Sequence, residues 1–220
     1  PDLLSAMSYT VPLALAGLAI GLAISIPLAI LATRFSGGWI DRCAVGVASL
    51  GAAIPAYWLG LLLVMLFAVK LAWLPAMGAR TPAHAVLPAL TLGLGVAAAL
   101  TRIIRSGILE ARTQPFLAAF RRRGVSASNI ARDHVAPHAA IPVITVFGLE
   151  LAFLLEGTVL AEVIFSRPGL GSFLVNAIGA RDFPQVQAVV ILTALFFVMT
   201  NLAIDLIYRL IDPRIGTQDA

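Results

Sequence analysis

Five long apolar runs dominate this chain, near residues 8–33, 44–69, 86–108, 139–165 and 186–210. Each is long enough to cross a bilayer, which takes roughly 20 residues of helix. The runs are continuously apolar rather than alternating, so they read as helices and not as strands. Backbone in lipid must satisfy its own hydrogen bonds, which leaves helices or a closed barrel. Composition agrees: 60% of the 220 residues are hydrophobic and 12% are charged, where a soluble domain has about 45–50% and about 25%. The expected fold is all-α, a polytopic membrane helix bundle forming a single domain over residues 1–220. Pro27, Pro55, Gly93, Gly95 and Gly148 lie inside the runs, as membrane helices tolerate. The Ala97–Ala99 triplet is small enough to let neighbouring helices approach closely.

The charges between the runs set an orientation. One set of linkers holds Arg34, Arg42, seven arginines from Arg102 to Arg132, then Arg209 and Arg214, eleven in all. The alternate set holds Lys70, Arg80, Arg167 and Arg181, which is four. By the positive-inside rule the first set is cytoplasmic, so the C-terminus is inside. Five spans then put the N-terminus outside. With no signal peptide at the start, that arrangement implies a further upstream span and a full protein of six or more. The net charge of +4 follows from this topology and needs no nucleic acid partner.

Several chemistries are excluded. The lone cysteine, Cys43, cannot form an intrachain disulfide. Among the motifs that carry catalysis, neither Gly-x-Ser-x-Gly nor His-Glu-x-x-His occurs, and His84, His134 and His138 sit in loops or at span ends. No metal-ligand cluster and no cofactor motif is present. A Walker A loop is also absent, so ATP is not bound by that route.

Two linkers carry the functional information. The longest on the basic side is about 109–138. Phe116 to Arg123 follows a short helical pattern that ends at Gly124, where a glycine suits the positive φ of a helix C-cap. Ser126 or Ser128 then caps a second short helix, Asn129 to Val135, and Pro137 marks the return to the membrane. The product is a compact helix–turn–helix, apolar on one face and basic on the other. It either docks into a cytoplasmic partner or serves only to fix topology. It is too short, and too close to the membrane, to read DNA. The second linker, about 166–185, has a turn at Pro168-Gly-Leu-Gly171 and then an amphipathic stretch with Phe173, Leu174 and Ile178.

The 116–137 segment resembles the "EAA loop" of binding-protein-dependent ABC importer permeases. In that family a Glu-Ala-Ala triplet is followed by a glycine and later by Ile-x-Leu-Pro. Here Ala119, Gly124 and Pro137 hold their places, while Ala118, Phe120, His134 and Ala136 depart from the pattern. The dipeptide/oligopeptide/nickel branch is a better match. It has an aromatic start, a basic run before the glycine and an Arg-x-His step, present here as Phe116, Arg121-Arg122-Arg123 and Arg132-Asp-His134. Ile54-Pro-Ala-Tyr-Trp-Leu-Gly60, Trp73-Leu-Pro75, Leu87-Pro-Ala-Leu90, Phe165-Ser-Arg-Pro-Gly-Leu-Gly171, Arg181-Asp-Phe-Pro-Gln-Val-Gln187 and Asp212-Pro-Arg-Ile215 support the same branch.

The resemblance implies the bundle of a type I ABC importer permease, with an extra N-terminal span, in the bacterial inner membrane. It implies a non-catalytic subunit that forms the path for a di- or oligopeptide or a nickel or metal chelate. Implied partners are cytoplasmic ATP-binding subunits, a second permease (a paralogue rather than a second copy), and a periplasmic or surface solute-binding protein. Phe116, Ala119, Arg121, Arg122, Arg123, Gly124, Arg132, His134 and Pro137 would couple to the ATPase. Pro168, Gly169 and Gly171 would form the outer gate. The rival expectation is a secondary transporter or channel that works without an ATPase and often shows repeated halves.

Glu150, Glu156 and Glu162 lie in or near the fourth run and Asp205 in the fifth. An acid at a helix centre costs about 2.5–3.5 kcal/mol on insertion scales, so it faces a cavity or a partner. Glu150 and Glu156 project about 120° apart on an ideal helix. They either line a path for a cationic solute or stay neutral or hydrogen-bonded against a partner subunit.

Overall fold

The computed structural model describes residues 2–211, excepting the side chains of Asp2, Ile141, Ala152, Leu155, Glu156, Asp205 and residues 207–211. The expectations placed on Glu156, Asp205, Arg209, Arg214 and the Asp212–Ile215 stretch therefore lie outside the described residues.

Helices make up the ordered structure, with no strand among the described residues. They are α1 (Asp2–Arg34), α2 (Trp39–Ala53), α3 (Ala56–Leu63), α4 (Ala83–Arg112), α5 (Phe116–Arg122), α6 (Ala127–Ile130), α7 (Ala136–Ile164), α8 (Leu170–Gly179) and α9 (Phe183–Ile211). Widened π-helical turns follow α3 at Val64–Lys70 and α6 at Ala131–Val135.

Among the described residues three helices, in α1, α4 and α9, are long and apolar enough to cross a membrane unaided. The second and fourth expected spans are bent pairs, and counting each pair as one brings the number to five. The second run is thus not the single span expected over 44–69. It breaks at Ile54-Pro55, where the two limbs meet at 101°. Ile54 is extended (φ −81°, ψ 121°) because a residue before proline is driven out of the helical region. Each limb is 15 residues with its π turn included, about 22 Å, against a hydrocarbon core of about 30 Å. Neither limb crosses alone.

The core is built on the crossing of α1 and α4. Leu13, Leu18, Leu87, Leu92, Val96 and Leu100 are buried there, with Leu154 and Phe165 of the α7 segment. The backbones approach closely because Gly17 and Gly21 of α1 meet Gly93 of α4. A Cβ on Gly93 would lie 2.8 Å from the Gly17 carbonyl oxygen, and one on Gly17 would lie 2.9 Å from Leu92 Cβ. This is the small-residue packing that lets helices associate in lipid, where no hydrophobic force drives them together. Buried hydroxyls are satisfied internally: Thr91 and Thr101 donate to Leu87 O and Ala97 O at 2.9 and 2.6 Å. By contrast α9 is largely unburied.

Polar ties close the bundle at both ends. At the arginine-rich end, Arg105 of α4 makes a two-pronged ion pair with the buried Asp41 of α2, at 2.6 and 2.7 Å. The Gly37 amide also donates to Asp41, at 2.8 Å. Arg112 donates to the Thr33 carbonyl at the end of α1, at 2.8 Å, where helix carbonyls lack intrahelical partners. At the opposite end, Pro88 has no N–H for the carbonyl of His84, four residues earlier. The buried Arg167 takes that carbonyl with Nη1 at 3.1 Å.

Candidate functional site

The 116–137 segment stands at the arginine-rich end on a small core of its own. Leu117 and Ile130 are buried with Ala111, Val135 and Ala139, and Phe120 and Val125 pack against them. The helix α5 ends as its sequence requires. Gly124 has φ +75°; its N–H donates to Arg121 O at 3.1 Å, and the Val125 N–H donates to Phe120 O at 3.2 Å. That pair of bonds is a Schellman stop, and Phe120 and Val125 pack against the same small core. Ser126 then caps the next helix, accepting the Asn129 N–H at 3.3 Å.

One expectation fails here. The second helix does not end at Val135; it runs on over Ala127–Ala140 into α7, which bends by 46° before Pro142. Pro137 lies in the first turn of α7, and the π turn over Ala131–Val135 precedes it. A proline inside a helix removes one bond and crowds the carbonyl four residues back, and a locally widened turn absorbs both. The docking element is therefore a short helix, α5, folded against the extended base of a long one.

The sequence-identified residues divide by face. Ala119, Arg121, Arg122, Arg123 and Gly124 are exposed, and Phe116 is 40% exposed. Arg132 is exposed and pairs with its neighbour Asp133 at 2.7 Å. The Arg132 guanidinium holds the Asp133 carboxyl below its ordinary value. His134 is half-buried and stacks on Phe120, with ring centroids 4.0 Å apart. His138 meets the edge of Phe116 at 5.8 Å. The aromatic residues thus join α5 to the α7 base and leave Arg121, Arg122 and Arg123 exposed.

The segment at the other end is also well defined. α7 closes on Ser166 at φ +50°, with Arg167 N–H donating to Glu162 O at 2.8 Å. Pro168 is exposed, while Gly169 and Gly171 are buried at the start of α8. Leu170 and Ala177 of α8 face inward and Ile178 is exposed. Glu162 is fully buried under this turn, hydrogen-bonded by Thr10 and by two α8 amides. Glu150 is half-buried on α7. Among the described residues, no group of three or more His, Cys, Asp or Glu side chains is placed to hold a metal.

Reasoning from sequence alone passed over Thr10, Asp41, Arg105 and Arg112. Thr10 lies 152 positions from Glu162 and Asp41 lies 64 from Arg105, and no local pattern announces such pairs. Asp41 is the one acid in the otherwise basic linker between the first two runs, which is the only signal it gave.

Residues 21–217 match the family described as the binding-protein-dependent transport system inner membrane component. The chain belongs to this family. Among its relatives is the glutathione transport system permease protein GsiC of Pectobacterium atrosepticum, 40% identical over 195 residues, covering 89% of this chain and 62% of the relative. GsiC of Escherichia coli K12 is 39% identical over 186 residues, covering 84% and 61%. The chain thus spans a little over three-fifths of the length of these relatives. The bundle is also similar to a chain of the inward-facing MetNI methionine ABC transporter, with a TM-score of 0.81, 17% identity and 96% of both chains covered. A chain of an amino acid ABC transporter crystallised with histidines gives a TM-score of 0.73 at 18% identity, with 95% and 94% covered. These two likenesses bear on the fold of an inner membrane component.

Proposed function

We propose that this chain is the membrane-spanning, non-catalytic permease subunit of an ATP-driven, binding-protein-dependent importer. The observation that carries the reading is the α5 element within a chain of this family. It is a basic, exposed helix held on its own core and fastened to the base of α7. Such an element suits a groove on a cytoplasmic ATPase, with Gly124 as its turn. Phe116, Ala119 and Arg121 to Arg123 form its contact face, while Arg132, His134 and Pro137 serve from the α7 base. The arginine-rich end is then cytoplasmic, the C-terminus lies on that side, and the Pro168–Gly171 turn faces outward as part of the outer gate.

The partners in this reading are two ATP-binding subunits, a second permease related to this chain, and a solute-binding protein on the outer side. The relatives named for glutathione transport favour a small peptide-like solute over a metal chelate. Glu150 and Glu156 are assigned to the translocation path, where an acid would meet the amine of such a solute.

The test is gentle solubilisation of the tagged full-length protein, followed by mass spectrometry of what accompanies it. An ATPase and a second permease recovered with the wild type, and an ATPase lost from Gly124→Val, is the expected result. Recovery of the chain alone, in a form that passes solute without ATP, would favour a secondary transporter or channel.

A further inference from the structure

Glu162 is an ionisable group in the last turn of α7 with none of its surface exposed. A carboxyl group is tolerated in such a place only where donors surround it. Here they come from two other elements. Thr10 Oγ1 of α1 donates to Oε1 at 2.5 Å, and the Gly171 and Ser172 amides of α8 donate to Oε2 at 2.7 and 3.3 Å. The same Thr10 oxygen accepts the Leu170 amide at 2.8 Å. The first three amides of α8, which helix geometry leaves without partners, therefore end on an α7 carboxyl group and an α1 hydroxyl. The close approach is built into the backbone. A Cβ on Gly169 would collide with the Glu162 carboxyl group, and one on Gly171 would collide with the Val159 backbone. The surrounding turn is tied in as well, since the Gly78 amide donates to the Phe165 carbonyl at 2.8 Å and Arg167 reaches His84 O.

We infer that Glu162 and Thr10 are positioning residues for transport. Together they hold the α7–α8 turn on the end of α1, so that α1, α7 and α8 move as one block and present α8 to the solute-binding protein in one orientation. The role rests on the importer reading given above, with this end of the bundle outermost. Two features set it apart from ordinary helix capping. The cap residue lies on a different element from the helix it caps, and its second partner lies on a third, so loss of Thr10 frees the Leu170 amide and loss of Glu162 frees those of Gly171 and Ser172.

The test uses the full-length complex in lipid nanodiscs for amide hydrogen exchange and in proteoliposomes for uptake, with Thr10→Ser, Thr10→Val, Glu162→Leu and the double variant Thr10→Val/Glu162→Leu. Thr10→Val removes only a hydroxyl and keeps the test open if Glu162→Leu fails to assemble. Exchange is expected to quicken about tenfold at Leu170 in Thr10→Val and at Gly171 and Ser172 in Glu162→Leu, as those buried donors lose their acceptor, and to stay as wild type in Thr10→Ser. Half-maximal uptake should need about tenfold more binding protein in the two impaired variants, the maximal rate should be unchanged, and the double variant should be no worse than either single. Unchanged exchange in both impaired variants overturns the clamp. Quickened exchange with unchanged half-saturation, a loss confined to the maximal rate, or additive losses overturns its role in presenting α8. Should the wild type take up no solute with ATP, the importer reading fails and the transport role with it, while the exchange data still decide whether the clamp exists.

Discussion

At Gly124 the backbone alone sets the requirement. A Cβ there would meet nothing within 4 Å, so substitution acts through φ +75°. Asparagine tolerates that region and β-branched residues do not. On the proposed importer reading, Gly124→Asn should keep ATPase coupling near wild type, and Gly124→Val should abolish it with membrane insertion intact; equal loss in both variants would move the glycine's role to the ATPase contact itself. Asp41 presents the opposite case, a buried side chain whose worth lies in its partner. Asp41→Ala leaves Arg105 facing a site with no acid, and Arg105→Ala leaves a buried carboxylate. Breaking such a pair destabilises by about 3–5 kcal/mol, and the partial exposure of Arg105 puts the expected loss at the low end. Each single variant should lower the thermal midpoint in detergent. The double variant should fall short of the summed losses, and simple additivity would mean the pair contributes no coupling.

Among the elements, α5 depends on the aromatic joint to the α7 base. The Phe120–His134 stack is worth about 0.5–1.5 kcal/mol beyond its buried area. If α5 docks an ATPase as proposed, His134→Phe should preserve the affinity of this chain for that ATPase, and His134→Ala should weaken it up to about tenfold, as titrated with purified ATPase; equal affinity in both would mean that α5 is held by Leu117 and its neighbours alone. The α1–α4 crossing rests on Gly93, and Gly93→Leu should prevent assembly, since its side chain would meet the Gly17 carbonyl and Ile20. A fully assembled complex would contradict that packing. What was legible at this scale follows from locality. The Schellman stop at Gly124 and the cap near Ser126 are written within a few residues, as are the apolar runs. The break at Pro55 was not legible, because Pro12, Pro27 and Pro88 all lie inside helices and nothing in the neighbouring residues separates the one that breaks from those that do not. The continuation of α6 into α7 was missed for the same reason, with a π turn absorbing Pro137.

For the whole molecule, lipid made the fold class legible, since a bilayer admits few solutions to a chain this apolar. The stretches matching the permease branch extend from Ile54 to Ile215, and the family match covers residues 21–217. The ties that fasten the bundle (Thr10 with Glu162, Asp41 with Arg105, Arg112 with Thr33) join residues far apart in the chain, and only the folded structure brings them together. They leave the arginine-rich end and the opposite end each cross-braced, with α5 mounted on the first. Such a body is suited to being driven from one end and to responding at the other. The most direct test is uptake of labelled glutathione and other small peptides into proteoliposomes holding the purified complex, with binding protein outside and ATP supplied to the ATPases. Uptake that needs both ATP and binding protein, survives in Gly124→Asn and vanishes in Gly124→Val is the predicted result. Solute flux through the chain in the absence of ATP and ATPase would contradict the account.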